Sequence, residues 1–271
     1  MTFDDDSYAD VVKTLFGRRD VMEQLVKRPM DKSELIDTTG TSRSTVTRAL
    51  KDLQTVDLVE QANGEYVPTP YGEFIYSQFV SLADVVELGD EIQTLLPHLP
   101  LEDLTFDLAH LADAEITFVS RVEPAAPLER VGELKQGAAR SRTLASGKNP
   151  VGLEAHYDAV VNQGQRFEAV CPPALFDATA ADSDQRAMML DLLEYDVAQF
   201  YVAEDTIPVP LGIVDDIVFF GVENEQGSPL ALIETTDPNV RRWAEIEFTT
   251  VRDQATQLTR HDFEHDWPRQ D

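Results

Sequence analysis

The amino-acid sequence predicts a mixed α+β chain, with a short helical unit closed by one β-hairpin, a long linker helix, and a larger α/β domain behind it. Three observations predict this. The length of 271 residues exceeds that of one ordinary domain. Apolar residues recur at helical spacing through the opening stretch and then give way to a turn flanked by two short strands. Beyond residue 113 strand-like and helical stretches alternate, the pattern of a sheet covered by helices. The divisions fall at residues 1–75 for the helical unit with its hairpin, 76–112 for a linker or dimerisation helix and hinge, 113–260 for the α/β domain, and 261–271 for a polar tail.

The elements follow in order. Val21, Met22, Leu25 and Val26 mark a first helix that must stop before Pro29. Asp31 precedes Glu34 by three positions, the spacing of a capping box, and opens a second helix that carries Leu35 and Ile36 and ends at Gly40. Ser42 is a good N-cap for a third helix running to about Leu53, with Val46, Ala49, Leu50 and Leu53 on one stripe. Leu58 to Glu60 and Glu65 to Val67 read as strands joined by an Asn63-Gly64 turn. Together these make a winged helix-turn-helix. Thr69 and Pro70 start a helix from Tyr71 to about Leu96, on which Ile75, Phe79, Leu82 and Val86 suit packing against a second helix, either the core of their own domain or a dimer seam. Pro97, Pro100 and the acidic residues near Asp103 suggest a hinge.

Charge singles out the third helix. The formal net charge is -28, yet Lys13 to Lys51 holds nine basic residues against five acidic ones, a net of +4. One short positive island therefore sits in an acidic chain, whose composition otherwise looks like that of a halophile's protein kept hydrated in strong salt. At 100° per residue Ser44, Arg48 and Lys51 point away from the buried stripe, flanked by Thr45 and Thr47. Arginine can read guanine edges, threonine can touch base edges or the thymine methyl, and serine hydroxyls with helix N-terminal amides hold phosphate. The candidate double-stranded DNA contacts are therefore Ser42, Arg43, Ser44, Thr45, Thr47, Arg48 and Lys51, with Asn63 and Gly64 at the wing tip. The same pattern also serves protein contacts in a signalling adaptor, and Arg43, near the helix edge, is equally placed to pair with a carboxylate.

Here a resemblance becomes specific. The S-x-S-T-V-x-R-x-L-x-x-L run (Ser42, Ser44, Thr45, Val46, Arg48, Leu50, Leu53) and the Y-x-x-T-x-x-G close (Tyr66, Thr69, Gly72) resemble the winged helix of archaeal transcriptional regulators. The order of elements behind them is similar to the haloarchaeal and methanogen group whose C-terminal part is called the methanogenesis regulatory protein middle domain, and more distantly to the TrmB-like sugar regulators. The resemblance implies a homodimeric DNA-binding regulator whose C-terminal α/β domain is a sensor, related in shape to phospholipase D-like domains. The H-x-K signature of phospholipase D enzymes is missing, since His98, His110, His156, His261 and His265 each lack a lysine two positions on.

In that second domain strand-like runs occur at Ile116 to Ser120, Phe167 to Val170, Gln199 to Ala203, Ile207 to Ile213, Ile217 to Val222 and Leu230 to Glu234, with helical patterns near Gly152 to Gln163 and Asp184 to Tyr195. Gln226, Gly227 and Ser228 read as a hairpin turn. Asp237 caps and Pro238 opens a closing helix with a stripe of Trp243, Ala244, Phe248, Val251, Ala255 and Leu258. Arg121, His156, Tyr157 and Glu234 are the candidate ligand-binding groups, chosen for their placement near strand ends or on a helix, where such sheets take a small-molecule effector. His261, Glu264 and His265 match H-x-x-E-H, a metalloprotease spacing that would make a metal-dependent hydrolase, but a terminal HDFEHD reads more simply as a solvated tail. Lone Cys171 reads as a small buried residue or a redox sensor and excludes an intramolecular disulfide. No catalytic residue, metal or cofactor is expected. The N-terminus is acidic and without an apolar stretch, and no run is long enough to span a membrane, so a cytoplasmic protein is expected.

Overall fold

The computed structural model describes residues 5–145, 153–265 and 267, and the chain divides into two units between Glu87 and Leu88. The first unit opens with α1 (Asp5–Gly17), a helix that the acidic opening sequence does not signal, followed by α2 (Arg19–Lys27), α3 (Lys32–Thr39) and α4 (Arg43–Thr55). The caps are those the sequence calls for. The Asp31 carboxylate accepts from the Ser33 and Glu34 amides while Glu34 accepts from the Asp31 amide, and Gly40 takes the left-handed conformation at φ 65° that ends α3. On α2, Val21, Met22 and Leu25 are buried, but Val26 is 42% exposed, because the expected set wraps past the buried face.

β1 (Val59–Ala62) and β2 (Glu65–Pro68) pair antiparallel, and Asn63 (φ 53°) and Gly64 (φ 92°) form the turn between them. Leu58, expected to start the strand, instead plugs the core, and its amide donates to the Leu53 carbonyl behind α4. α5 (Pro70–Ile92) follows at once. The Thr69 hydroxyl donates to the Asp57 carbonyl and accepts from the Gly72 amide, which ties the base of the hairpin to the first turn of α5. α5 ends four residues before the expected Leu96, and Leu96–His98 form one 3-10 turn around Pro97.

The second unit is built on one sheet of eight strands among the described residues, in the order β10-β6-β5-β4-β7-β8-β9-β3. These are β3 (Glu115–Phe118), β4 (Arg140–Leu144), β5 (Arg166–Cys171), β6 (Ala198–Val202), β7 (Leu211–Val214), β8 (Ile217–Glu223), β9 (Pro229–Thr235) and β10 (Thr256–Gln257). β4, β5 and β6 run parallel and the remaining pairs are antiparallel. α10 (Pro238–Gln254) covers one face, with Trp243, Ala244 and Phe248 against Leu144, Ile213, Phe220 and Ile233. The other face meets α6 (Ala126–Lys135) through Val214, Phe219 and Leu232, and α7 (Leu153–Val161) and α9 (Ser183–Leu192) through Phe167, Phe200 and Val202. α8 (Pro173–Ala181) contributes Phe176 to that second layer.

Several expectations change here. The strand read from Ile207 to Ile213 is only Leu211–Val214, since Pro208 and Pro210 offer no amide to a ladder. The stripe read through Leu258 breaks at Gln254; Leu258 follows β10, donates to the Phe200 carbonyl and packs on the opposite layer from Trp243. The stretch read as a hinge is core: Leu95, Leu99, Leu104 and Leu111 are buried, Trp243 Nε1 donates to the Asp103 carbonyl, and Phe106 meets the Trp243 ring edge-on. Nor is the C-terminal stretch a loose polar tail. α11 (Arg260–His265) buries Phe263, Trp267 packs on Phe176, and Arg186 donates to the Glu264 and Trp267 carbonyls. Gly152, the expected start of α7, lies outside the described residues.

Candidate nucleic-acid interface

The free face of α4 is set by one cap and one stripe. Ser42 takes an extended conformation and its Oγ accepts from the Thr45 amide at 3.2 Å, while Val46, Ala49, Leu50 and Leu53 are fully enclosed. That anchoring leaves Arg43, Ser44, Thr45, Thr47, Arg48 and Lys51 exposed, and Ser42, Arg43, Ser44, Thr47, Arg48, Lys51 and Asp52 line a shallow concavity. The Ser44 and Thr45 hydroxyls each lie 2.9 Å from Ser42 Oγ, so they belong to the cap network at the helix start.

The charge balance of this face decides its chemistry. Lys27 pairs with Glu23 on α2, and Arg28, just past the end of α2, pairs with Glu34 of α3, which neutralises both cations. Arg43, Arg48 and Lys51 have no ion pair among the described residues. The one carboxylate in the concavity, Asp52, is held by Arg18 at 3.0 and 2.8 Å. Sequence reasoning missed this Arg18–Asp52 clamp, since the two residues are 34 apart and no local pattern links them. Its effect is to leave three cations uncompensated on one helix face. The wing tip adds only neutral groups: Asn63 and Gly64 are exposed, and the flanking Glu60 and Glu65 are acidic.

The four groups singled out in the second domain are not brought together. Arg121 is exposed in the bend after β3. The Glu234 carboxylate is buried and held by the Arg130 fork at 2.8 and 2.6 Å, which commits it to α6 and removes it as a ligand group. The Tyr157 hydroxyl donates to Asp191 at 2.5 Å. His156 stacks on Phe167 with centroids 4.2 Å apart, and its Nε2 lies 3.4 Å from Lys135 Nζ. Both residues keep some contact with solvent, yet their nitrogens are densely surrounded. That burial lowers the Lys135 amine to about 8 and holds the His156 imidazole well below its ordinary value, with the lysine charge adding to the second effect. Cys171 is buried and its thiol is pushed up to about 12 by burial, so it is not a reactive thiolate.

His261 and His265 stack at 4.5 Å on six-residue α11, and Glu264 lies 3.9 Å from Arg260. No group of three or more histidine, cysteine or carboxylate side chains among the described residues is placed to hold a metal ion. No helix of the described residues is long and apolar enough to cross a membrane.

The first unit is thus a winged helix-turn-helix with a cationic helix face that has no ion pair among the described residues, and a mixed α/β unit follows it. Residues 7–91 match the HVO_A0261 N-terminal domain, and residues 124–254 match the middle domain of the methanogenesis regulatory protein FilR1. The chain is thus similar to these two domain families over separate stretches, one in each unit. Among solved structures, the archaeal chromatin protein TrmBL2 is 14% identical, covering 92% of this chain and 98% of its own at a TM-score of 0.43. NucT from Helicobacter pylori, also 14% identical, covers 54% of this chain and 98% of its own at 0.41. Nuc of Salmonella typhimurium, a phospholipase D family member, covers 54% and 99% at 14% identity and 0.40. At these scores the likenesses carry no functional argument. No curated protein matches the chain.

Proposed function

We propose that this protein is a sequence-specific, DNA-binding transcriptional regulator that acts as a homodimer and whose second unit responds to a small molecule or partner. The observation that carries the reading is the uncompensated Arg43, Arg48 and Lys51 row on the free face of α4, beside the Ser42 cap and its amides. A helix of this kind fits the major groove, with Arg48 central enough to reach a base edge and Lys51 set for phosphate. The acidic remainder repels a duplex, so the island directs the helix to it and keeps the rest away.

Dimerisation is supported by α5, where Phe74, Leu82, Val85 and Val86 remain exposed although all are large and apolar. Two such helices side by side would set two α4 helices about one turn of DNA apart, about 34 Å. A ligand-driven change in that spacing would alter operator affinity.

The test is a gel-shift titration on the DNA upstream of the gene itself, in molar potassium chloride. Arg48→Ala should weaken binding by about ten- to a hundred-fold and relax the preference for one base position, the effect of losing a bidentate base contact. Failure of the unaltered protein to shift any fragment, with Arg48→Ala equally inert, would point to an adaptor that uses the helix-turn-helix for protein contacts.

A further inference from the structure

Lys135 has no carboxylate partner among the described residues and, unlike the exposed cations of α4, is largely enclosed. Its ammonium lies instead 3.4 Å from His156 Nε2 and 5.9 Å from the centre of the Phe219 ring. His156 rests on Phe167 at 4.2 Å. Phe167 is the register partner of Ser141 on β4, and Phe219 faces Gly212, itself the partner of Thr143. The Phe219 ring lies across Gly212 so closely that a Cβ there would come within 2.1 Å of it. Alternation along β4 sends Arg142 and Leu144 to the α10 face and Ser141 and Thr143 to the face beneath α6 and α7.

Two hydroxyls without partners therefore lie on the same sheet face that the helices carrying Lys135 and His156 cover. Ser141 is fully buried, and neither its Oγ nor Thr143 Oγ1 has a hydrogen-bond partner. Gln165, also fully buried, donates its amide to the Lys135 and Ala138 carbonyls and so fixes the end of α6 from which Lys135 reaches over the sheet. Buried hydroxyls without partners are costly, and a largely enclosed cation without a countercharge is more so. A water molecule or a ligand oxygen from outside the chain would complete such a cluster.

We propose that Lys135, His156, Ser141 and Thr143 form a binding seat for a small oxyanion, the carboxylate or phosphate group of the effector that the second unit takes. This rests on the sensing half of the function proposed above. His156 is neutral there, as burial and the adjoining lysine dictate, so Nε2 accepts one ammonium proton and aims the other two at the anion. The hydroxyls donate from below. An anion supplies the missing countercharge and the missing acceptors together.

The test is thermal unfolding of the full chain at fixed ionic strength, with inorganic phosphate or acetate replacing chloride and no DNA present. The expected result is a Tm that climbs with the logarithm of probe concentration. In Lys135→Met the apparent affinity should fall tenfold or more, while the Tm without probe stays level or rises because a buried charge is gone. A response to phosphate alone assigns a phosphoryl ligand, and a response to acetate alone a carboxylate. A Lys135→Met protein that loses stability yet keeps the probe response, or an unaltered protein blind to both anions, overturns the assignment. Because DNA is absent, failure of the gel-shift would leave this result standing, and the reverse also holds.

Discussion

At Gly72 a Cβ would sit 1.9 Å from the Leu58 carbonyl oxygen, a backbone atom that cannot swing aside. The same carbonyl accepts from the Thr69 amide, and Thr69 joins Asp57 to Gly72 through its hydroxyl. This is the physical content of the Y-x-x-T-x-x-G pattern: Tyr66 is buried in the core, Thr69 clamps, and Gly72 permits the approach. Gly72→Ala should therefore destabilise the protein by about 1–3 kcal/mol, as overpacking does, and disturb the wing. Gly89, on the same helix with open space at its Cβ position, makes the control: Gly89→Ala should be neutral or stabilise by about 0.5–1 kcal/mol. Denaturant melts of the two variants settle the point, since equal effects would mean that helix propensity, not the Leu58 contact, governs both sites.

Whole elements were legible in the sequence where a local rule acted alone. The α3 capping box, the Ser42 cap, the Asn63-Gly64 turn and the Asp237-Pro238 start of α10 each depend on residues within four positions of one another, and each lies where the spacing places it. β4 was invisible because a long-range partner overrides its composition. It reads R-S-R-T-L, yet runs through the middle of the sheet, since Arg142 pairs with Glu245 of α10 and stacks on Phe248 while Ser141 and Thr143 face the other layer. The Lys135–His156 contact was not legible for the same reason: the two residues are 21 apart, and only the fold sets them side by side. α11 was misread because five of its six residues are charged or titratable and only Phe263 carries the docking signal. Phe263 is fully enclosed, with the Arg186 guanidinium 5.4 Å from its ring. Phe263→Ala should cost about 3–5 kcal/mol, whereas exposed His261→Ala should stay within about 0.5 kcal/mol. Chemical denaturation of both would return the stretch to a mere tail if Phe263→Ala proved silent.

For the whole molecule, charge connects stability to DNA binding. A net charge of -28 repels itself most strongly in dilute salt, and screening shortens its reach from about 10 Å at 0.1 M to about 3 Å at 1 M. The Tm should therefore climb steeply as potassium chloride is raised to molar levels. DNA binding should respond the other way, but weakly. If Arg43 and Lys51 face phosphate and Arg48 brings its charge into the groove, counterion release limits the slope of log K against log salt to about -3 per bound chain. Repulsion between the acidic unit and the duplex is itself relieved by salt, so the observed slope should be shallower than that limit. Gel-shift or anisotropy titrations from 0.2 to roughly 2 M salt would measure it. A slope clearly steeper than -3 per chain would show that further cations, such as Lys13, Arg19 or Lys32, enter the interface, and that α4 does not meet the duplex alone.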